Sequence, residues 1–494
     1  MNASGGVVAA LATLVAVGAS AREPDVHGMK VWTQPGYTVY SHDDRVARTV
    51  ITEVARIEPV LAKLLNQEIR PSGLPTYVLI VRPPVWNHYV RPSRNIVGEF
   101  APGRFANYLL LNSVDFGNSM RSAIYHEYTH LFLHTQVGGA YPLWFDEGLA
   151  QIMGNTQFSG SHASIGMTEG GVMLGNDREW IPISRLFRID KKSPEYLSEK
   201  SVSVHRESWG LVHRGLIAEP EFGTKMFAYL HAVGDGAPVD EAIQNSFGMS
   251  SIQLDRKMSS YTQQVVYRFR RVELERQESP RVVAAQTVPE IDALQMLARM
   301  MFDTGFNPKN LSEVVDAAER QAPGSTSVRV LRLRLAVRDR DDATMNELLK
   351  EFEPGLGDAG VARDVGLALF ERDRVPDDSK CAGQRLARQQ KALELLDHAL
   401  REQPQDPEAV WAFGMLAAST NQLLGPALQR LLATTERVTR NADIALATAL
   451  VYESLQKPEL MISALADVGR FSRSLEQSLW ARERIDEIRQ TLAR

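Results

Sequence analysis

Apolar residues fall into two kinds of pattern along the chain. In the first half, Val46, Val50, Val54, Ile57, Leu61 and Leu64 recur every three or four positions, the stripe of an amphipathic helix, and Pro59 within it predicts a kink. Tyr37–Tyr40 is a short β-prone run. Thr76–Val81 (TYVLIV) is continuously β-branched or aliphatic and is closed by Pro83 and Pro84, which predicts a buried strand. Two more extended runs, Ile96–Phe100 and Phe105–Leu111, flank Pro102–Gly103 and predict a hairpin. From about Pro289 the strand signals stop, and Ala, Leu, Arg and Glu dominate at helical spacing. Helix starts are predicted near Pro289, Ser325, Asp358, Pro407, Asn441 and Ser474, at intervals of 36, 33, 49, 34 and 33 residues, with an insertion at Asp373–Gly383 accounting for the long one. Repeats of this length read as helix pairs, each unable to bury its own apolar stripe and therefore stacked on its neighbour.

A chain of 494 residues exceeds the roughly 250–300 that one core serves, so the change of pattern marks a domain boundary. Leu274–Gln286 is polar and without a stripe. The division is thus residues 27–275, a linker at 276–288, and an all-α repeat domain at 289–494. Ahead of these, Val7–Ala19 is an apolar run of small residues ending in Ala19-Ser20-Ala21, an A-x-A-like cleavage site. Residues 1–21 therefore read as a secretory signal, which places the product in the periplasm or outside the cell. The run is short of the roughly 20 residues that a spanning helix needs, so no stable membrane span is expected after its removal. With 55 basic and 60 acidic residues the net charge is −5, which lacks the basic surface that a nucleic-acid partner demands. The single cysteine, Cys381, can form neither an intramolecular disulfide nor a Cys-rich metal site, so a metal would have to be held by His and carboxylate groups.

Those groups occur together at His126-Glu127-Tyr128-Thr129-His130, flanked by Met120, Ile124 and Leu131 at helical spacing. Residues i and i+4 share a helix face, so His126 and His130 can bind one Zn²⁺ while Glu127 reaches the metal's open side. Downstream stands Leu143-Trp144-Phe145-Asp146-Glu147-Gly148-Leu149-Ala150, and with it the chain resembles the gluzincin, or peptidase MA-like, metallopeptidases. The resemblance implies an α+β zincin-like catalytic domain with Glu147 as third ligand of one zinc per chain, and hydrolysis of peptide bonds by a zinc-bound water that Glu127 activates. Asp146 is expected to be a surface group or to stand behind the ligands. The segment His205–His213 resembles the gluzincin helix that opens with a transition-state tyrosine, which gives His205 the role of oxyanion donor, with Tyr196 and His213 as the other candidates. The strand Phe105–Leu111 resembles the gluzincin edge strand, which implies that Asn107 and Tyr108 bind substrate. The aminopeptidase Gly-x-Met-Glu-Asn motif is not found in this region, which favours an endopeptidase.

In the second half, Asp406-Pro407, Trp411, Gly414 and Ala427 resemble a tetratricopeptide helix pair, which implies an array that binds the protein substrate or other protein partners. Two further readings suit the same residues: a catalytically silent protein-binding scaffold of the cell envelope, and a metallohydrolase with a non-peptide substrate.

Overall fold

The structure is a computed structural model that describes residues 23–71, 73–91, 97–113, 118–167, 180–264, 266–275, 282–374 and 382–493. The signal expected at 1–21, Cys381 and most of the expected insertion lie outside the described residues. No helix among the described residues is long and apolar enough to cross a membrane.

The chain opens with a hairpin of β1 (Lys30–Gln34) and β2 (Tyr37–Ser41) and crosses through α1 (Asp44–Leu65) to β3 (Thr76–Val81), parallel to β2. Pro59 sits inside α1, whose Val46, Val50, Val54, Ile57 and Leu61 are all buried. A short α2 (Pro83–Val85) precedes the hairpin β4 (Gly98–Pro102) and β5 (Asn107–Asn112), and β5 runs parallel to β3. Then come the first two helices of the candidate site, α3 (Asn118–Phe132) and α4 (Leu143–Gly154). Beyond them β6 (Gln157–Ser159) and β7 (His162–Ile165) begin a second, three-stranded sheet, followed by α5 (Ile183–Leu186), α6 (Ser201–His213), α7 (Pro220–Gly234), α8 (Val239–Phe247) and α9 (Ser251–Thr262). β8 (Arg270–Glu273) completes that sheet, and β9 (Gln286–Thr287) adds to β1 to give a main sheet ordered β4-β5-β3-β2-β1-β9. The stretch expected to be a linker therefore ends as a strand of the main sheet.

The continuous apolar run of β3 has a physical cause in this architecture. Side chains alternate across a strand. Val78 and Ile80 of β3, with Leu109 and Leu111 of β5, enter the core shared with α1, α3, α4 and α6. Leu79 and Val81, with Tyr108 and Leu110, enter a second core on the opposite face. That face is covered by α10 (Glu290–Thr304), α11 (Leu311–Gln321) and α12 (Thr326–Asp339), the first helices of the second half. Both faces of the strand are dry, so no polar alternation is present.

The array continues through α13 (Asp342–Phe352), α14 (Ala359–Arg374), α15 (Ala382–Glu402), α16 (Pro407–Thr420), α17 (Leu424–Arg437), α18 (Ala442–Ser454), α19 (Pro458–Phe471) and α20 (Leu475–Leu492). Each of the six expected helix starts lies within a residue of an observed one: α10, α12, α14, α16, α18 and α20. Four are closed by side-chain caps, with Asp358, Asp406, Asn441 and Ser474 accepting from the backbone N–H groups of Val361, Ala409, Ile444 and Gln477. Consecutive helices pack as pairs, as expected of a stacked helical array.

One expectation is overturned. Asn107 and Tyr108 do not lie on an edge strand, because β4 folds back along the outer side of β5 and gives that strand a neighbour on each side. Both residues are 0% exposed and both turn to the helical array: the Tyr108 hydroxyl donates to Asp303, and the Asn107 Oδ1 accepts from Arg473 at 3.2 Å. The edge on that side of the sheet is β4.

Candidate metal centre

Helix α3 carries His126 and His130 on one face, and α4 brings Glu147 against it. The two Nε2 atoms are 3.2 Å apart. Glu147 Oε2 lies 3.3 Å from His126 Nε2 and 3.6 Å from His130 Nε2. A tetrahedral cation with arms of about 2.0–2.1 Å separates its ligand atoms by roughly 3.3–3.4 Å, so the triangle has the right size for one Zn²⁺. Glu147 Oε2 is buried and accepts no hydrogen bond. A buried carboxylate oxygen without a donor is costly, and a cation among these three atoms would satisfy it.

Around this triangle His130 and Glu147 are oriented from behind. His130 Nδ1 donates to Asp146 Oδ1 at 2.7 Å, so that in the neutral imidazole the Nε2 lone pair is directed at the cluster. Burial disfavours charge on His130, yet the Asp146 and Glu147 carboxylates outweigh it and hold the imidazole well above its ordinary range. Burial would likewise raise Asp146 and Glu147, but His130 beside them keeps both well below the carboxylate range. Tyr196 donates to Glu147 Oε1 at 2.7 Å and so fixes the carboxylate's second oxygen. Asp146 is thus a buried partner of a ligand and not a surface group. Asp146→Asn, which weakens this support without removing a ligand atom, is expected to lower zinc affinity by about 10–100-fold in competition with a chelating dye.

His205, on α6, is brought to the same carboxylate, its Nε2 3.2 Å from Glu147 Oε2. Ligand atoms of His126, Glu147 and His205 all lie within 4.8 Å of one another. Because His205 Nδ1 donates to Ser201 O at 2.6 Å, its neutral form presents a bare Nε2 to the cluster and only its cationic form can donate there. The donor role expected of His205 therefore belongs to the imidazolium. The approach of α6 depends on Gly148, since a Cβ there would stand 2.4 Å from Ser208 O and 2.6 Å from Val212 Cγ2. His213 is not in the site: its Nε2 donates to Gly166 O and Arg268 O, and its Nδ1 accepts from Tyr261, all within the core.

Glu127 projects to the other flank of α3, toward β4. Its Oε2 accepts from the Phe100 N–H at 2.7 Å, which leaves Oε1 available for chemistry. Gly98 makes room for this contact, because a Cβ there would fall 2.7 Å from Glu127 Cγ. The sequence pattern singled out neither Gly98 nor the Phe100 amide, although a glycine opening a strand is the signal of a close approach. Gly98→Val is expected to push Glu127 out of place and cut turnover by at least about tenfold while zinc content, measured by mass spectrometry, stays that of the wild type.

No protein-family model matches the chain, and no curated protein matches it in sequence. Among solved structures it is similar to a thermophilic tetratricopeptide-repeat protein of Thermus thermophilus, with 15% identity and a TM-score of 0.31 over 40% of this chain and 98% of that one. It is also similar to YrrB, a tetratricopeptide-repeat protein with an unusual peptide-binding site, with 17% identity and a TM-score of 0.28 over 39% of this chain and 91% of that one. A third likeness is to yeast Tom70, with 12% identity and a TM-score of 0.31 over 77% of this chain and 76% of that one. At these scores the character of the site rests on its own geometry.

Proposed function

We propose that the chain is an exported zinc-dependent endopeptidase whose metal is held by His126, His130 and Glu147. The observation that carries this reading is the triangle of three ligand atoms 3.2–3.6 Å apart around a buried, hydrogen-bond-free Glu147 Oε2. When bound there, zinc supplies Lewis-acid polarisation of a carbonyl and lowers the pKa of water beside it.

The chain's own groups supply the rest. Glu127 Oε1 takes the proton of the attacking water and passes it to the leaving amine, while Oε2 stays anchored on the Phe100 N–H. His205, as the imidazolium, borders the Glu147 carboxylate and is suited to hold charge on the carbonyl oxygen, while Tyr196 keeps its hydroxyl proton on Glu147. A polypeptide substrate is favoured by the edge of β4. Asn112 N bonds to Val97 O and Gly103 N to Ala106 O, so the backbone groups of Glu99 and Ala101 face β5 while those of Gly98 and the carbonyl of Phe100 face outward, the outward Phe100 N–H being held by Glu127. An extended chain can add to that edge beside Glu127. The helical array would contribute contacts to protein substrates or partners.

Digestion of unfolded proteins followed by mass spectrometry of the new termini tests this. Internal cuts that vanish with a chelator are expected. Release of terminal residues alone would refute the endopeptidase assignment, and an unaltered substrate would refute the peptidase reading.

A further inference from the structure

The helical array meets the first half at both ends. Its first helices cover the main sheet, and near its far end Arg482 of α20 pairs with Asp235 after α7. The first helices of successive pairs, α10, α12, α14, α16 and α18, also touch one another, so they form one inner face. Into that face projects the turn between β4 and β5.

The turn is held as a bound peptide would be. Phe105 is 7% exposed, with its ring 5.6 Å from that of Trp411 on α16. The Arg104 guanidinium lies 4.1 Å over the same indole, and its Nε is 3.2 Å from Asp443 Oδ1 on α18. The backbone is read as well: Asn441 Nδ2 donates to Arg104 O at 3.2 Å, and Arg473 donates to Gly103 O at 3.0 Å. Two successive carbonyls, one aromatic and one cation are thus each matched by a group of the array. A few residues along the same strand, Phe100 N–H holds Glu127.

We propose that the inner face around Trp411 is a polypeptide-binding seat for an arginine–aromatic pair, that the chain fills it with its own Gly103–Arg104–Phe105, and that this grip sets the position of β4 opposite Glu127. Arg104 and Phe105 are then positioning residues, acting on the site through the strand. The importance of that position rests on the reading of β4 as the wall of a peptidase site, but the grip itself can be measured without any activity.

Hydrogen–deuterium exchange of the full chain is the test, with residues 98–102 as the reporter and β3 as the internal control. Arg104→Asp, which sets two carboxylates against each other, is expected to speed exchange in residues 98–102 by about tenfold or more with β3 unchanged. Adding Asp443→Arg is expected to restore protection. If exchange in residues 98–102 stays at the wild-type rate while the turn at 103–106 loosens, or if the swapped pair fails to restore it, the proposal is overturned. Should Arg104→Asp also expose β3, the milder Asp443→Asn decides: faster exchange confined to residues 98–106 supports the grip, and wild-type exchange there refutes it. Absence of hydrolysis in the wild-type chain would count against the peptidase reading and leave the grip to be decided by the exchange data alone.

Discussion

Glu127→Gln is expected to reduce peptide hydrolysis by about 10²–10⁴-fold with no loss of bound zinc. The glutamine keeps the length and shape of the side chain, so it fits beside Gly98 and its carbonyl oxygen can still accept from Phe100 N–H. What it cannot do is take up a proton. Glu127 also lies outside the triangle of ligand atoms, so metal content should be that of the wild type. Steady-state cleavage of a quenched fluorescent peptide, with zinc measured on the same sample, reports both. Full turnover in the variant would remove Glu127 from the mechanism.

The second large effect is expected at Glu147. It is the only anionic member of the donor set, and three imidazole Nε2 atoms lie 3.2–3.6 Å from its Oε2. Glu147→Ala leaves those imidazoles without an opposing charge and with one donor fewer than a catalytic zinc site uses. Zinc affinity should fall by more than the 10–100-fold typical of a supporting residue, and activity should fall with it. Calorimetry gives an independent readout. Free zinc at about 1,000 times its dissociation constant stabilises the wild type by about 4 kcal/mol, and that gain should disappear in the variant. Zinc binding and zinc-dependent stabilisation equal to those of the wild type would show that Glu147 is not a ligand.

The parts of this arrangement that local chemistry dictates were legible in the sequence. The spacing of His126 and His130 alone puts both on one face of α3, and the six repeat starts follow from caps and apolar periodicity. Glu147 came from a resemblance, and the structure brings it to the histidines. The rest depends on what packs against what. Nothing in Phe105–Leu111 tells whether the strand has one neighbour or two, and β4 occupies the side on which substrate was expected. The unbroken apolar run of β3 does signal that both faces are covered, but only the fold shows that the second cover is the helical array. The end of the expected linker is a strand for the same reason, since Gln286 and Thr287 pair with β1. His205 reaches Glu147 because Gly148 lets α6 approach α4, a long-range consequence of one missing side chain.

The most direct test of the whole account is cleavage of one protein substrate by four samples of the full chain: as purified, stripped with a chelator, stripped and reloaded with one equivalent of zinc, and the Glu127→Gln variant loaded with zinc. Internal cleavage is expected in the first and third samples and none in the second and fourth. Cleavage that survives the chelator, or that the zinc-loaded Glu127→Gln variant performs as well as the wild type, would contradict it.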